Sequence, residues 1–290
     1  MVPELTKHLV ELIRRASTDL SPDVEQAIKE AQNKEPEGST SQSTFKVILQ
    51  NVQMARKAST PMCQDTGLLV FYIDVPRGTD IQPIKEAIKK AAQESSKKFY
   101  LRPNAVNPIT GKNSGNNCGE KAPYIHFNQW NEDYYRYRLM LKGGGSENIG
   151  KQYTLPDSRL NAGRDMNGVK KCVIDAVFQA QGKGCSPGII GVGIGGDRGT
   201  SFLTSKEQFF RKMWQRNPDP QIAKIESELL INLNRLQIGP MGFGGKTTVM
   251  DVFIGFAHRH PACFFVSVSY MCWANRRKTM TIKNGEVFHD

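Results

Sequence analysis

Apolar periodicity along this chain changes type without a fixed order, and that excludes more folds than any single motif does. Residues 3–16, 22–33 and 44–59 carry helical spacing, and in the third stretch Phe45, Ile48, Leu49, Val52 and Ala55 mark one face. Ser21 before Pro22 predicts an N-cap with proline at the first helical position. Residues 68–75 read as a buried strand, 83–98 as a helix, and 124–130 with 133–141 as the two strands of a hairpin. Helices follow over 166–181, 201–215 and 219–236, with strands over 189–194, 248–257 and 263–270. There is no steady strand–helix alternation and no internal repeat, so a doubly wound sheet is not expected. The expectation is α+β, a complex mixed α/β arrangement with a helical N-terminal region packed on a mixed-sheet core.

At 290 residues the chain suits one large domain or two modest ones. Residues 1–60 are expected to form the helical region and 61–290 the core, continuous with it in one domain. The polar break at residues 36–41 is short enough to be a loop, not a domain linker. Residues 102–123 hold three prolines and five asparagines, too many turn formers for a packed element. Long loops of this kind inside a domain are often functional.

The formal charge of +11 raises nucleic-acid binding, because basic proteins gain affinity for phosphate backbones by releasing counterions. The basic pairs Lys89-Lys90, Lys97-Lys98, Lys170-Lys171 and Arg276-Arg277 are scattered, however, and acidic residues are interleaved with many of them. A solvated surface, an acidic partner or attraction of a dianionic substrate fits better, and no nucleic acid is expected. Residues 1–15 mix Glu4, Lys7, Glu11, Arg14 and Arg15 with leucines, so they lack the apolar centre of a signal peptide, and no later run is long enough for a bilayer. A soluble cytoplasmic protein without a membrane partner is expected. Six cysteines without regular spacing or tight pairs argue against a disulfide scaffold and against a zinc ribbon.

Three of those cysteines stand in turns marked by glycine or proline. They are Cys63 in Met62-Cys63-Gln64-Asp65-Thr66-Gly67, Cys185 in Gly184-Cys185-Ser186-Pro187-Gly188, and Cys272 before Trp273-Ala274-Asn275-Arg276-Arg277. Any one alone reads as a small buried hydrophobe. Three thiolates from separated segments suit a four-iron, [4Fe-4S] cluster that leaves one iron open as a Lewis acid. Cys172 lies in a helical pattern and Cys263 in a strand pattern, so both read as structural; Cys118 shares a polar loop setting and competes with the first three.

Other motifs have bland readings beside the sharp ones. Gly191 to Gly196 satisfies G-x-G-x-x-G but does not open a first βαβ unit, and the acid at the expected distance, Asp219, sits between two prolines. Those glycines instead suit close approach of the backbone to a ligand or cluster near Cys185. Gly244-Gly245-Lys246-Thr247-Thr248 imitates the end of a P-loop, with Pro240 where the upstream glycine belongs. Gly143-Gly144-Gly145 after a strand suits backbone amides that face a carboxylate. Arg102 is the candidate cation for a substrate carboxylate, which a planar guanidinium holds through two parallel bonds. Asp65, two residues after Cys63, is close enough in sequence to face the same cavity. His126, His258 and His260 lack persuasive metal spacing.

In order along the chain, Cys63-Gln64-Asp65-Thr66-Gly67, Leu101-Arg102-Pro103-Asn104, Gly111-Lys112-Asn113-Ser114-Gly115, Gly143 to Asn148, Gly191 to Gly196, Ile238 to Gly242 and Cys272-Trp273-Ala274 with its arginine pair resemble the α subunit of class I iron-sulfur fumarate hydratases and L-tartrate dehydratases. The resemblance implies Cys63, Cys185 and Cys272 as cluster ligands, with Cys118 outside the set. It implies Gln64 and Asp65 beside the reacting carbons, and Gln64, Arg102 and Gly145 at the substrate. It also implies a β subunit that completes the site, hence a hetero-oligomer of α2β2 type acting on fumarate and malate. Ser186 departs from the family pattern, as do Cys118-Gly119-Glu120. The alternatives are an L-tartrate dehydratase α subunit and a non-catalytic iron-sulfur or nucleotide-binding regulator.

Overall fold

The computed structural model describes residues 2–290; Met1 lies outside the described residues. In chain order the elements are α1 (Val2–Thr18), α2 (Pro22–Lys34), α3 (Thr40–Ala58), β1 (Leu68–Pro76), α4 (Gln82–Lys97), β2 (Tyr124–Trp130), β3 (Tyr135–Lys142), α5 (Gly144–Asn148), β4 (Lys151–Thr154), α6 (Met166–Ala180), β5 (Gly188–Gly195), α7 (Arg198–Glu207), α8 (Pro220–Asn234), β6 (Val249–Ala257), β7 (Phe265–Met271), β8 (Arg277–Lys283) and β9 (Glu286–His289). This is a mixed α+β fold that opens with three helices, as the periodicity predicts. The chain divides into two units, each built from separated segments. One comprises the described residues of Met1–Ser21 with Gln50–Gly144 and Arg276–Asp290; the other comprises Pro22–Leu49 and Gly145–Asn275.

The first unit is a five-stranded sheet in the order β2-β1-β3-β8-β9. Leu9, Leu12, Ile13 and Ala16 recur on one face of α1 and, with Ile84, Ala87, Ile88 and Ala91 of α4, close over Leu69, Phe71 and Ile73 of β1 and Leu139 and Leu141 of β3. The expected hairpin of 124–130 with 133–141 does not form. β2 pairs in parallel with β1 from Val70↔Tyr124 to Pro76↔Trp130, while β3 pairs antiparallel with the opposite edge of β1. β1, the most apolar strand of the unit, lies between β2 and β3, and α4 with the following loop forms the crossover that its parallel pairing with β2 requires. A local pattern identifies a strand but does not choose its neighbour.

The second unit has a four-stranded sheet in the order β4-β7-β5-β6. Val169, Cys172, Val173 and Ala176 of α6 and Leu229 and Leu233 of α8 pack with Val192, Val252 and Val268. The backbone of α7 rests directly on β5: a Cβ on Gly191 would lie 2.1 Å from Ser205 O, and one on Gly193 2.0 Å from Ser201 O. These two glycines therefore admit a helix backbone, not a ligand, which corrects the expectation drawn from their spacing. The helix expected over 201–215 also ends early, at Glu207. Buried carboxylates capture the backbone and side chains beyond it. Glu226 accepts from Arg211 Nη1 at 2.6 Å and Asn217 N at 2.9 Å, and Asp251 accepts from Trp214 N at 2.7 Å. Such bonds compete with the helical ladder.

The P-loop-like turn is likewise occupied from within. Glu35, only 5% exposed, accepts from Lys246 N at 2.9 Å and Thr247 N at 3.0 Å, and from Ser41 Oγ at 2.9 Å. Among the described residues no helix is long and apolar enough to cross a membrane.

Candidate active site

In the first unit the Cys63 turn is pinned from both sides. Met62 N donates to Ser17 O at 3.1 Å, and Asn51 Nδ2 donates to Met62 O at 2.8 Å. Cys63 and Asp65 are half-buried and Gln64 is exposed. Gly67, at φ +83, must be glycine: a Cβ there would lie 2.9 Å from the Leu141 carbonyl carbon. That close approach brings the turn against the end of β3, where the three glycines begin.

Asp65 is held as a carboxylate clamp. Oδ1 accepts from Gly67 N at 3.0 Å and Oδ2 from Gly144 N at 2.7 Å. Ionised carboxylates offer about four acceptor positions, so both oxygens retain capacity for a further donor. Arg276 backs the clamp: its Nη1 donates to Asp65 O at 2.7 Å, it is 1% exposed, and its Nε is buried without a partner. A Cβ on Gly143 would come within 3.1 Å of Asp65 Oδ2, which is why the strand exits through glycine.

Thr66, fully buried, joins this turn to the long loop. Its Oγ1 accepts from Arg102 N at 3.0 Å and from Asn104 Nδ2 at 3.1 Å. Asn117 holds the same stretch, its Oδ1 accepting from Asn104 N at 2.9 Å and its Nδ2 donating to Arg102 O at 3.0 Å. The backbone of Arg102 is thereby fixed next to Asp65 in the hydrogen-bond network while its side chain is exposed. The loop between residues 103 and 124 also lines a cavity of about 700 Å³.

In the second unit Cys185 follows a 3-10 turn and takes the left-handed conformation, φ 56 and ψ 63. Cys272 directly follows β7, and the two segments meet where Trp273 N donates to Cys185 O at 3.3 Å. Both thiols are half-buried and neither is in a disulfide. Tyr270 fills the space behind Cys185: a Cβ on Gly184 would lie 2.6 Å from its Cε1, and one on Gly188 2.3 Å from its Cζ. The Tyr270 hydroxyl is buried without a partner, and burial pushes its pKa up. Gly145, the second residue of α5, is exposed and has ordinary van der Waals room on its Cβ side, 3.7 Å from Lys183 O.

The remaining cysteines have different surroundings. Cys172 is fully buried in the core and its thiol is pushed up to about 12, chiefly by burial. Cys118 Sγ donates to Lys89 O at 3.5 Å, and burial raises its pKa too. The His126 ring lies tilted by 34° against Tyr72 with centroids 4.7 Å apart, and His260 Nδ1 accepts from Ala262 N at 3.1 Å in its own turn. Among the described residues no three His, Cys, Asp or Glu side chains converge as a single-ion site. Within the second unit the reduced, half-exposed thiols of Cys185 and Cys272, in segments joined by the Trp273–Cys185 hydrogen bond and beside the orphaned Tyr270 hydroxyl, fit ligation of an iron-sulfur group. Thr66, Asn104 and Arg276 stand inside the quoted motifs, yet sequence reasoning assigned them no task, and Tyr270 carries no distinctive signal, since a strand tyrosine reads like core.

The family described as fumarate hydratase (Fumerase) matches residues 6–281 of this chain. A Geobacillus stearothermophilus protein named as a fumarate hydratase class I is 47% identical over 277 residues, which cover 94% of this chain and 54% of that protein. The chain thus spans about half the length of that relative. A Methanocaldococcus jannaschii protein named as an L(+)-tartrate dehydratase subunit alpha is 36% identical, with 95% of this chain and 96% of that one covered. The L(+)-tartrate dehydratase subunit alpha of Escherichia coli K12 is 31% identical, with 97% and 91% covered.

Proposed function

Because the chain belongs to the fumarate hydratase (Fumerase) family, we propose that it is the α subunit of a cytoplasmic hydro-lyase that interconverts fumarate and malate together with a β subunit, as an α2β2 hetero-oligomer. The observation that carries this reading is the Asp65 clamp: a carboxylate two residues from Cys63, fixed by two backbone amides and backed by a buried arginine, yet still half-exposed. Cys63, Cys185 and Cys272 are the proposed ligands of a [4Fe-4S] group. When bound, a group with one iron free of protein ligands supplies the Lewis acidity that makes hydroxide a better leaving group.

The chain's own residues then have three tasks. Removing a carbon-bound proton from malate builds negative charge toward the neighbouring carboxylate, and fixed donors lower that barrier because they need no reorganisation. Arg102 holds one substrate carboxylate through its guanidinium, and the exposed backbone at Gly145 faces the other. Asp65 offers its free lone pairs to the proton-bearing group, and its two amide bonds keep the oxygens from turning away. Gln64, exposed beside it, contacts the substrate. The partner contributes the rest of the site, including the base. Met241 and Phe243 are exposed on the loop whose Met241 N donates to Ser186 O, and they give the partner an apolar foothold beside Cys185.

The second reading is an L-tartrate dehydratase α subunit, the name carried by the Methanocaldococcus jannaschii and Escherichia coli relatives. Higher identity and the Gly143–Asn148 sequence favour fumarate. One assay decides: the chain, loaded anaerobically with iron and sulfide and combined with its β subunit, is supplied with fumarate, malate and tartrate in parallel. Fumarate hydration is expected to dominate; preferred tartrate dehydration would replace the first reading with the second, and no turnover of any of the three would remove both.

A further inference from the structure

Tyr270 has an unpartnered hydroxyl in a place where phenylalanine would pack as well. The residue is 3% exposed, and its ring packs closely against Gly184 and Gly188, the two glycines on either side of Cys185. A Cβ on Gly188 would lie 2.6 Å from the hydroxyl oxygen itself, so the oxygen sits over the turn that presents the thiol. The chain reaches Cys272 two residues later, and the Cys272 segment meets the Cys185 turn where Trp273 N donates to Cys185 O at 3.3 Å. A hydroxyl left buried and unbonded is destabilising, and a partner brought by a bound group would offset that cost. Among the described residues no atom supplies one.

We propose that Tyr270 is a positioning residue whose O–H donates a hydrogen bond to a sulfur atom of the iron-sulfur group held by Cys185 and Cys272. The inference rests on the metal–sulfur reading given above and deepens it. A phenol is a good donor, and sulfur is the acceptor that a thiolate-bound group would bring to this spot. Hydrogen bonds to the sulfurs stabilise the more negative, reduced state and so help set the reduction potential of such a group. The tyrosine would then tune the group without touching substrate. The two glycines would be required by the ring and not by the metal.

Tyr270→Phe tests this, because it keeps the ring and removes only the oxygen. The full chain and the variant are loaded anaerobically with ferrous iron and sulfide, titrated potentiometrically, and also unfolded by heat in the iron-free state. Equal iron and sulfide content is expected, with the midpoint potential of the variant moved to lower values. The iron-free variant is expected to unfold at the same temperature as its parent or higher, since an orphaned hydroxyl has been removed. An unmoved potential overturns the proposal, and so does an iron-free variant that unfolds earlier, because the hydroxyl would then already have a partner. A parent chain that takes up neither iron nor sulfide overturns the metal–sulfur reading itself, and this inference with it.

Discussion

Two carboxylates in this molecule are gripped by glycine-rich turns in nearly the same way, and their surroundings separate them. Glu35 takes two amides from the Gly244–Thr247 turn and a hydroxyl from Ser41, and it is closed off from solvent. Asp65 takes two amides, from Gly67 and Gly144, but remains half-exposed beside an exposed glutamine and a free-standing Arg102 side chain. Backbone amides left open by glycine attract an anion in both places. The first grip is saturated and serves the fold; the second keeps acceptor capacity and faces solvent. A glycine-rich turn therefore announces that an anion is bound, without saying whose anion it is.

The same contrast between a saturated and an open setting applies to the thiols, where the largest effect is expected. Cys63→Ser, Cys185→Ser and Cys272→Ser should each abolish retention of iron after anaerobic loading, while Cys172→Ser and Cys118→Ser keep it. Iron counting on all five variants checks this, and full iron in any of the first three would break the division. Asp65→Asn comes next. It preserves shape but replaces one acceptor oxygen by a donor, so turnover of the loaded enzyme should fall roughly 100-fold, the scale of an acid–base contribution. Near-normal turnover would place Asp65 in the same structural class as Glu35.

Arg102→Lys keeps the charge and loses the planar pair of bonds, so the dicarboxylate should bind more weakly by roughly 1.5–3 kcal/mol, with turnover at saturation much less affected. Steady-state kinetics separates the two quantities; an unchanged KM would return Arg102 to the ordinary surface. Glu35→Gln sharpens the comparison from the other side. The new amide faces a backbone N–H with a donor, so the chain should lose about 1–3 kcal/mol of stability in chemical unfolding, while activity per folded, loaded molecule stays the same. A selective loss of turnover in that variant would mean that the two carboxylate grips share a function after all.

How much of this was legible in the sequence depended on range. Elements whose apolar spacing is decided locally, such as α6 and β5, stand where periodicity puts them, and Pro22 does open α2. The strands at 124–130 and 135–142 were visible as strands, but their partner β1 lies roughly fifty to seventy residues earlier, and pairing at that distance leaves no local mark. The early end of α7 was hidden for the same reason, because Glu226 and Asp251 capture residues 211–217 from downstream segments. At the candidate site, turn residues made Cys63, Asp65 and Gly144 conspicuous. The burial of Arg276 behind Asp65, and Tyr270 altogether, were not visible, since burial of a cation or an unpaired phenol is a property of the assembled core and not of the neighbouring letters.

The bond from Arg276 to the Asp65 carbonyl joins residues 211 positions apart, and β8 must sit against β3 in the same unit. On a translating ribosome, at about 5–20 residues per second, the support behind Asp65 therefore arrives roughly ten to forty seconds after the residue it supports. From its own synthesis until β8 is made, β3 presents a bare edge, the kind of surface that recruits stray strands. The nascent chain would need shielding during that time, and loading with metal could follow only after the unit that carries Asp65 has closed.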